Sequence, residues 1–334
     1  MRVLLTGGTG FVGCHTAAAI AAAGHDLRLL VRRPDQVPVS LGPRGVEVTD
    51  VVVGDVLDES VVAEAVAGCE AVVHAAAVYS LDPRRGAEVR RTNLRAAEVV
   101  LGRAVASGLD PVVHVSTTVA LTRYAGSGPD LPLGDIDLPY AQSKIASELV
   151  ARRLQEAGAP VVTVYPGAVY GPDDPYRGDQ GERLRWILTG RFPFWPQGGL
   201  HVTDVRDVAA VTAAVLEPDR GPRRYVVPGH HVDGDELYAA FAQATGRRFP
   251  HVLVPGRLIG PQSRLLDAVQ RRLPARWHLP GDREGVEIVL RDTRVDDTPA
   301  RTELGVEPTP LVSTIGDTVD GLVGSGRVPG RYAR

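Results

Sequence analysis

The sequence predicts an α/β protein: a doubly wound parallel sheet with a smaller, irregular C-terminal domain. Three observations carry that expectation. The first 170 residues alternate short apolar runs with longer segments of helical period, the pattern of parallel strands joined by crossover helices. The first of these runs is continuously apolar, as a strand covered on both faces requires. Beyond Gly171 the texture changes to pieces separated by Pro, Gly and Asp.

Each element has its own reason. Arg2–Thr6 is a short apolar run that leads into a glycine turn at Gly7–Gly13. Phe11–Ala23 is alanine-rich and helical, and Gly24 stops it. Asp26–Val31 is a second strand closed by Arg32-Arg33-Pro34, and Val46–Val53 is a third. A helix over about Asp58–Ala67, a strand at Ala71–His74 and a long helix over about Gly86–Ser107 follow. Pro111–Ser116 is the fifth strand, Ala141–Ala157 a helix and Pro160–Tyr165 the sixth strand. After the Gly171–Leu200 stretch, helical only near Glu182–Leu188, His201–Thr203 and Val205–Leu216 resume strand then helix. Asp204 is placed to cap that helix, with Asp207 at its third position. From Tyr225 the pieces are short, ending in a helix near Ser313–Leu322.

Composition excludes whole classes. A net charge of −3 over 334 residues leaves no basic surface for nucleic acid and no polybasic face for a membrane. Two cysteines, Cys14 and Cys69, build neither a disulfide framework nor a Cys-rich metal site and suit a reducing compartment. No apolar run reaches the roughly 18 residues of a membrane span, and the opening Met-Arg-Val-Leu-Leu-Thr-Gly is strand rather than signal peptide. The expectation is a cytoplasmic protein. One detail stands out: of 37 Lys and Arg residues, only Lys144 is lysine. In a chain that uses Arg for every generic cation, that position asks for a compact ammonium on a flexible stem.

Thr6-Gly7-Gly8-Thr9-Gly10-Phe11-Val12-Gly13 has a strand before it and a helix after it. Glycines at 7, 10 and 13 permit a tight turn, close approach of a pyrophosphate, and packing of helix on strand. This is a dinucleotide-binding turn, with phosphates on the helix N-terminus. The second strand ends without an acid before Asp35, and Arg32 stands where a 2′-phosphate would sit. NADP is therefore favoured over NAD. Asp55, with Val56 beside it, follows the third strand and is placed to meet the adenine amino group; the plain alternative is a turn aspartate. Tyr140-Ala141-Gln142-Ser143-Lys144 puts a phenol and the lone ammonium on one helix face at i, i+4. A fixed positive charge beside a phenol lowers its pKa, the requirement for proton exchange near neutrality.

These motifs, together with His74-Ala75-Ala76-Ala77, Asn93, Ser116-Thr117-Thr118, Tyr165–Pro172 and Asp204–Ala209, carry a resemblance over nearly the whole chain. The chain resembles the extended (atypical) short-chain dehydrogenase/reductases of the NAD(P)-dependent epimerase/dehydratase superfamily. It is most similar to the dihydroflavonol-reductase-like branch, which also ends its second strand in Val-Arg. The resemblance implies a Rossmann domain formed by residues 1–171 and about 201–228, and a substrate-binding domain formed by about 172–200 and 229–334. It implies Tyr140 as general acid/base, Lys144 on the nicotinamide ribose, and Thr118 as the catalytic hydroxyl, with Thr117 as the fallback. Ala75 and Ala76 would line the cofactor channel and Val169 would contact the nicotinamide amide. It also implies a homodimer. Relatives acting on nucleotide-sugars carry Arg and Asn where this chain has Tyr165 and Ala168, so a diphosphate loses an anchor.

The remaining candidates are weaker. The nine histidines show no ligand spacing beyond His230-His231, read as loop residues, so no metal is expected. Cys14 reads as core. Trp186, Phe192, Phe194 and Trp195 either pack a lid-like segment onto the small domain or wall an apolar pocket. The reading is an NADP-dependent oxidoreductase acting on a fairly apolar carbonyl or secondary alcohol. The alternatives are an NAD-dependent nucleotide-sugar epimerase or dehydratase and a non-catalytic dinucleotide sensor.

Overall fold

The computed structural model describes residues 1–123, 131–175, 179–270, 272 and 283–332. Residues 176–178 of the Gly171–Leu200 stretch lie outside them. The N-terminal half runs β1 (Arg2–Thr6), α1 (Phe11–Ala22), β2 (Asp26–Val31), α2 (Gln36–Leu41), β3 (Asp50–Val53), α3 (Glu59–Val66), β4 (Ala71–His74) and α4 (Gly86–Ala106). It continues with β5 (Val112–Val115), α5 (Pro139–Glu156) and β6 (Val161–Tyr165). Then come β7 (Ala168–Tyr170), α6 (Asp179–Leu188), β8 (Phe194–Pro196), β9 (Gly199–Asp204), α7 (Val205–Ala214) and β10 (Arg223–Val226). The last elements are β11 (His230–Asp233), α8 (Gly234–Thr245), β12 (Val252–Val254), α9 (Gly256–Gln270), α10 (Arg283–Leu290), α11 (Thr298–Leu304) and α12 (Leu311–Gly324).

Seven strands pair in parallel in the order β3-β2-β1-β4-β5-β6-β10. Both faces are covered, which is why the strands read as continuous apolar runs. Val3, Leu5, Val73, Val113 and Val162 pack under α1 and α7, while Leu4, Val72, Val112 and Val161 pack under α3, α4 and α5. The strand order reverses between β1 and β4, the switch point where doubly wound folds place their ligands. A second core, including Tyr170, Leu184, Trp195, Leu237, Phe241 and Ile315, joins α6, α8 and α12 to two small sheets, β11-β9-β7 and β12-β8.

Three expectations change. The third strand begins at Asp50 rather than Val46. Asp50 is where pairing with Arg28 starts, and its carboxylate accepts from Arg28 at 3.0 Å and from Arg2. Val46 and Val48 pack on the core as side chains without joining the sheet. Second, His230 and His231 lie in β11 rather than a loop; their rings bond to the Thr309 carbonyl and to Asp292. Third, the C-terminal part is more helical than short pieces between Pro and Gly imply. α8 opens with a capping box between Asp233 and Glu236, a signal present in the sequence, and ends on left-handed Gly246. Asp204 caps α7 as expected, accepting from the Arg206 amide.

Candidate active site

The glycine turn floors a cleft of about 840 Å³ at the switch point. Gly7 has φ +76°, and a Cβ there would lie 2.7 Å from the Ala76 nitrogen. A Cβ on Gly13 would lie 2.0 Å from the Gly7 carbonyl oxygen, so the helix start and the turn touch backbone to backbone. The Gly10 amide donates to that same carbonyl at 2.9 Å. The N-cap of α1 is Gly10, which has no side chain to cap the helix. Its first-turn amides therefore face the cleft as an anion seat, and the residues present fit a dinucleotide pyrophosphate.

Of the residues expected to hold a cofactor, Gly7, Gly10, Phe11, Val12, Gly13, Arg32, Asp55, Val56, Ala75, Ala76, Lys144 and Val169 all line this cleft. Thr6 does not. Its buried hydroxyl pairs with His74 Nδ1 at 2.8 Å and accepts from the Ala76 amide at 3.3 Å, fixing the chain that leaves β4. At the other end, Arg33 pairs with Asp35 at 2.9 Å, whereas exposed Arg32 has no partner among the described residues. The nearest acid is thus taken, and the guanidinium on the cleft is available. Asp55 accepts from the Leu57 amide at 3.0 Å, a turn bond that occupies one carboxylate oxygen.

At the far end of the cleft, α5 presents Tyr140 and Lys144, only 8% and 5% exposed. The helix starts two residues earlier than its sequence pattern implies, with Pro139 in its first turn. The Tyr140 ring meets Tyr79 edge-on at 5.0 Å. Burial pushes the phenol well above its usual range, and Tyr79 and the Glu284 carboxylate push the same way. The lowering expected from Lys144 is not found: every contribution to the shift is upward, and removal from water is the largest. Burial lowers the Lys144 ammonium to about 8, opposed by Glu148 one turn on. Glu148 is fully buried, and one of its carboxylate oxygens accepts from Arg152 at 2.9 Å and from the Tyr165 hydroxyl at 2.5 Å.

Thr117 and Thr118 both flank Tyr140, but they are not equivalent. Thr117 lies at the junction of this cleft and a second cavity, and its hydroxyl accepts from the Val119 amide at 3.3 Å. Thr118 lines only the second cavity, and its half-buried hydroxyl makes no hydrogen bond to a described residue. That second cavity is walled by Trp186, Ile187, Phe192, Trp195, Leu200 and Val289. Both readings of the aromatic segment therefore apply: Trp195 belongs to the second core and also faces the cavity, while Phe194 is exposed. Ala168 lines the cavity without a donor. Tyr165 does not reach it, being fully buried against Glu148.

Several site residues escaped the sequence. Glu148 completes an i, i+4, i+8 row with Tyr140 and Lys144, a spacing that could have flagged it. Tyr79 and Glu284 reach Tyr140 only through the fold and carry no local signal. His74 and His114 stack at 5.9 Å on the sheet beneath Lys144, and burial holds both neutral. Cys14 is buried, with its thiol pushed up to about 11 and thus unreactive. Among the described residues no group of three or more His, Cys, Asp and Glu side chains is placed to hold a metal, and no helix is long and apolar enough to cross a membrane.

Comparison with known proteins bears on this geometry. The model of the NAD dependent epimerase/dehydratase family matches residues 3–227. The chain is 26% identical to sterol demethylase protein B of Methylococcus capsulatus over 96% of its length and 97% of that protein. It is 28% identical to a putative dihydroflavonol 4-reductase of Synechocystis sp., covering 94% and 92% of the two chains. Among solved structures, UDP-glucose 4-epimerase from Bifidobacterium longum, in complex with NAD+ and UDP, superposes with a TM-score of 0.76. That likeness covers 98% of this chain and 99% of the epimerase at 18% identity, and shows the shared fold.

Proposed function

The chain belongs to the NAD dependent epimerase/dehydratase family and is an NAD(P)-dependent oxidoreductase, and from that premise we propose that it uses NADP to interconvert an apolar ketone and its secondary alcohol. The carrying observation is the junction of the two spaces. The dinucleotide cleft meets, at Tyr140 and Thr117, a cavity lined mostly by aromatic and aliphatic side chains, which Thr118 also lines with its hydroxyl unbonded to any described residue. The described parts of residues 1–171 and about 201–228 would hold the dinucleotide and those of about 172–200 and 229–334 the substrate, with Leu184, Thr318 and Arg327 of the second set also lining the dinucleotide cleft.

A bound nicotinamide supplies or accepts the hydride. The protein's own groups manage the proton and the oxygen. In reduction, Thr118 donates a hydrogen bond to the ketone oxygen and holds it against the phenol. Tyr140, kept protonated by burial, gives its proton to the oxygen as negative charge develops there. An alkoxide is a stronger base than a phenolate, so the transfer runs downhill even from a raised phenol pKa. Lys144 would hold the nicotinamide ribose and stabilise the phenolate left behind, with Glu148 favouring its charge in a buried setting. The aromatic walls exclude water from the reacting carbon. The relatives support the apolar assignment only by name, sterol and dihydroflavonol both being polycyclic.

A panel of cyclic ketones, aromatic ketones and nucleotide-sugars, followed by NADPH absorbance with product analysis, tests the proposal. Reduced cyclic or aromatic ketone is expected. An epimerised nucleotide-sugar without net NADPH loss would overturn it in favour of the epimerase.

The cofactor has its own test. Arg32 lines the cleft with no partner among the described residues while Asp35 is held by Arg33, so a 2′-phosphate would gain charge-assisted hydrogen bonds that a ribose hydroxyl does not. Such bonds are worth about 1.5–3 kcal/mol, roughly 10–150-fold. NADPH is expected to bind more tightly than NADH by about that factor, and Arg32→Asp to erase or reverse the preference. Nicotinamide fluorescence titration reads both; equal wild-type affinities would move the contact off Arg32.

A further inference from the structure

We propose that Glu284 is a positioning residue that latches the substrate-lining helix α10 onto the N-terminus of the helix carrying Tyr140; this rests on the reductase reading for its role in turnover but not for the latch itself. A helix leaves its first amides without partners, and a side chain at the N-cap normally satisfies one. In α5 the N-cap is Leu138, whose side chain has no acceptor. The role passes to a residue 144 positions away. One Glu284 carboxylate oxygen accepts from the Tyr140 amide at 3.2 Å and the other from the Ala141 amide at 2.5 Å. The carboxylate is 5% exposed, so these are charge-assisted bonds shielded from water, at the end of the helix that favours negative charge.

The connection is more than a cap. One turn along α10, Ile288 packs against the cluster of Ile136, Leu138 and Ala141 at the start of α5. Beyond it, Arg291 ion-pairs with Asp135. Three successive contacts therefore bind α10 and the residue that follows it to residues 135–141. Its intervening residues Gly285, Val286 and Val289 line the apolar cavity. A ligand seated on α10 thus rests on the element that fixes where the catalytic phenol points. A shift of about 1 Å at such a position is enough to cost about 100-fold in rate.

The test compares Glu284→Ala and Glu284→Gln, the latter keeping length and one carbonyl acceptor. Kinetics use 1-tetralone, then the other ketones of the panel, with NADPH affinity from fluorescence. For Glu284→Ala, kcat is expected to fall by about 10–100-fold with KM and the NADPH Kd near wild type. Glu284→Gln is expected to recover a large part of that loss. A merely structural role would lower Tm and leave kcat of the folded variant unchanged, and that result overturns the proposal. Amide hydrogen exchange reads the latch without any substrate. In Glu284→Ala, Tyr140 and Ala141 are expected to exchange about 10-fold faster or more, with a smaller rise in Glu284→Gln and the C-terminal half of α5 unchanged in both. If the wild type reduces no ketone, the reductase reading falls and exchange alone decides: unchanged rates at Tyr140 and Ala141 overturn the latch.

Discussion

Tyr140→Phe is expected to lower ketone turnover by about 100- to 10,000-fold while the NADPH Kd stays within a factor of two or three, the range that loss of a general acid produces. The substitution removes one oxygen and keeps the ring. The ring's structural contacts are the edge-on partner Tyr79 and the small cluster with Leu81 and Val89, and phenylalanine satisfies all of them. The phenol donates to no described residue, so its loss orphans no buried partner. Stability should therefore change little, and the effect should appear in kcat and kcat/KM together, as for a group that acts only in the transition state. Steady-state reduction of a ketone, paired with fluorescence titration of NADPH, checks it. A purified Tyr140→Phe enzyme with more than a tenth of wild-type turnover would move the proton donor elsewhere, Thr118 being next in line.

How far the sequence could be read depends on the distance between the groups involved. Tyr140 and Lys144 are legible because one helical turn joins them, and the glycine turn because strand, turn and helix are contiguous. The parallel sheet is legible because both faces are covered, and its strands need no alternation. Legibility ends where partners come from afar. Glu284 reaches α5 across 144 positions, and Tyr79 meets Tyr140 across the connection between β4 and α4. The fate of each hydroxyl in Thr117-Thr118 is set by the bend after β5, where one residue caps and the other faces the cavity. Charge effects are hidden for the same reason. A lysine four residues from a tyrosine implies a lowered phenol pKa, but burial, with the electrostatic effects of Tyr79 and Glu284 added to it, sets the opposite sign. The C-terminal helices were obscured by Pro and Gly, although Pro261 lies inside α9 and the Asp233–Glu236 capping box announces α8.

Gly13→Ala is expected to weaken NADPH binding by about 100-fold or more, through backbone geometry alone. The new methyl would start 2.0 Å from the Gly7 carbonyl oxygen and 2.7 Å from the Gly7 carbonyl carbon, where no real contact is closer than about 3 Å. No side chain can swing aside, because both neighbours are main chain. The turn cannot withdraw either. Gly7 sits at φ +76°, with Ala75 and Ala76 backbone atoms 2.7 to 2.9 Å from where its own Cβ would be. The helix cannot tilt away cheaply, since Cys14, Ala17 and Ile20 pack into the main core with Val208 and Val211 of α7. About 1 Å of separation must nevertheless be found, and it displaces the α1 amides from the phosphates they would hold. Gly102→Ala is the control: it lies within α4, where an added methyl meets nothing within 4 Å. That variant should gain up to about 1 kcal/mol of stability and keep the wild-type Kd. Thermal unfolding without ligand, alongside NADPH titration, separates a collapsed domain from a spoiled phosphate seat. A Gly13→Ala protein that unfolds cooperatively and binds NADPH within threefold of wild type would mean that the phosphates do not rest on the start of α1.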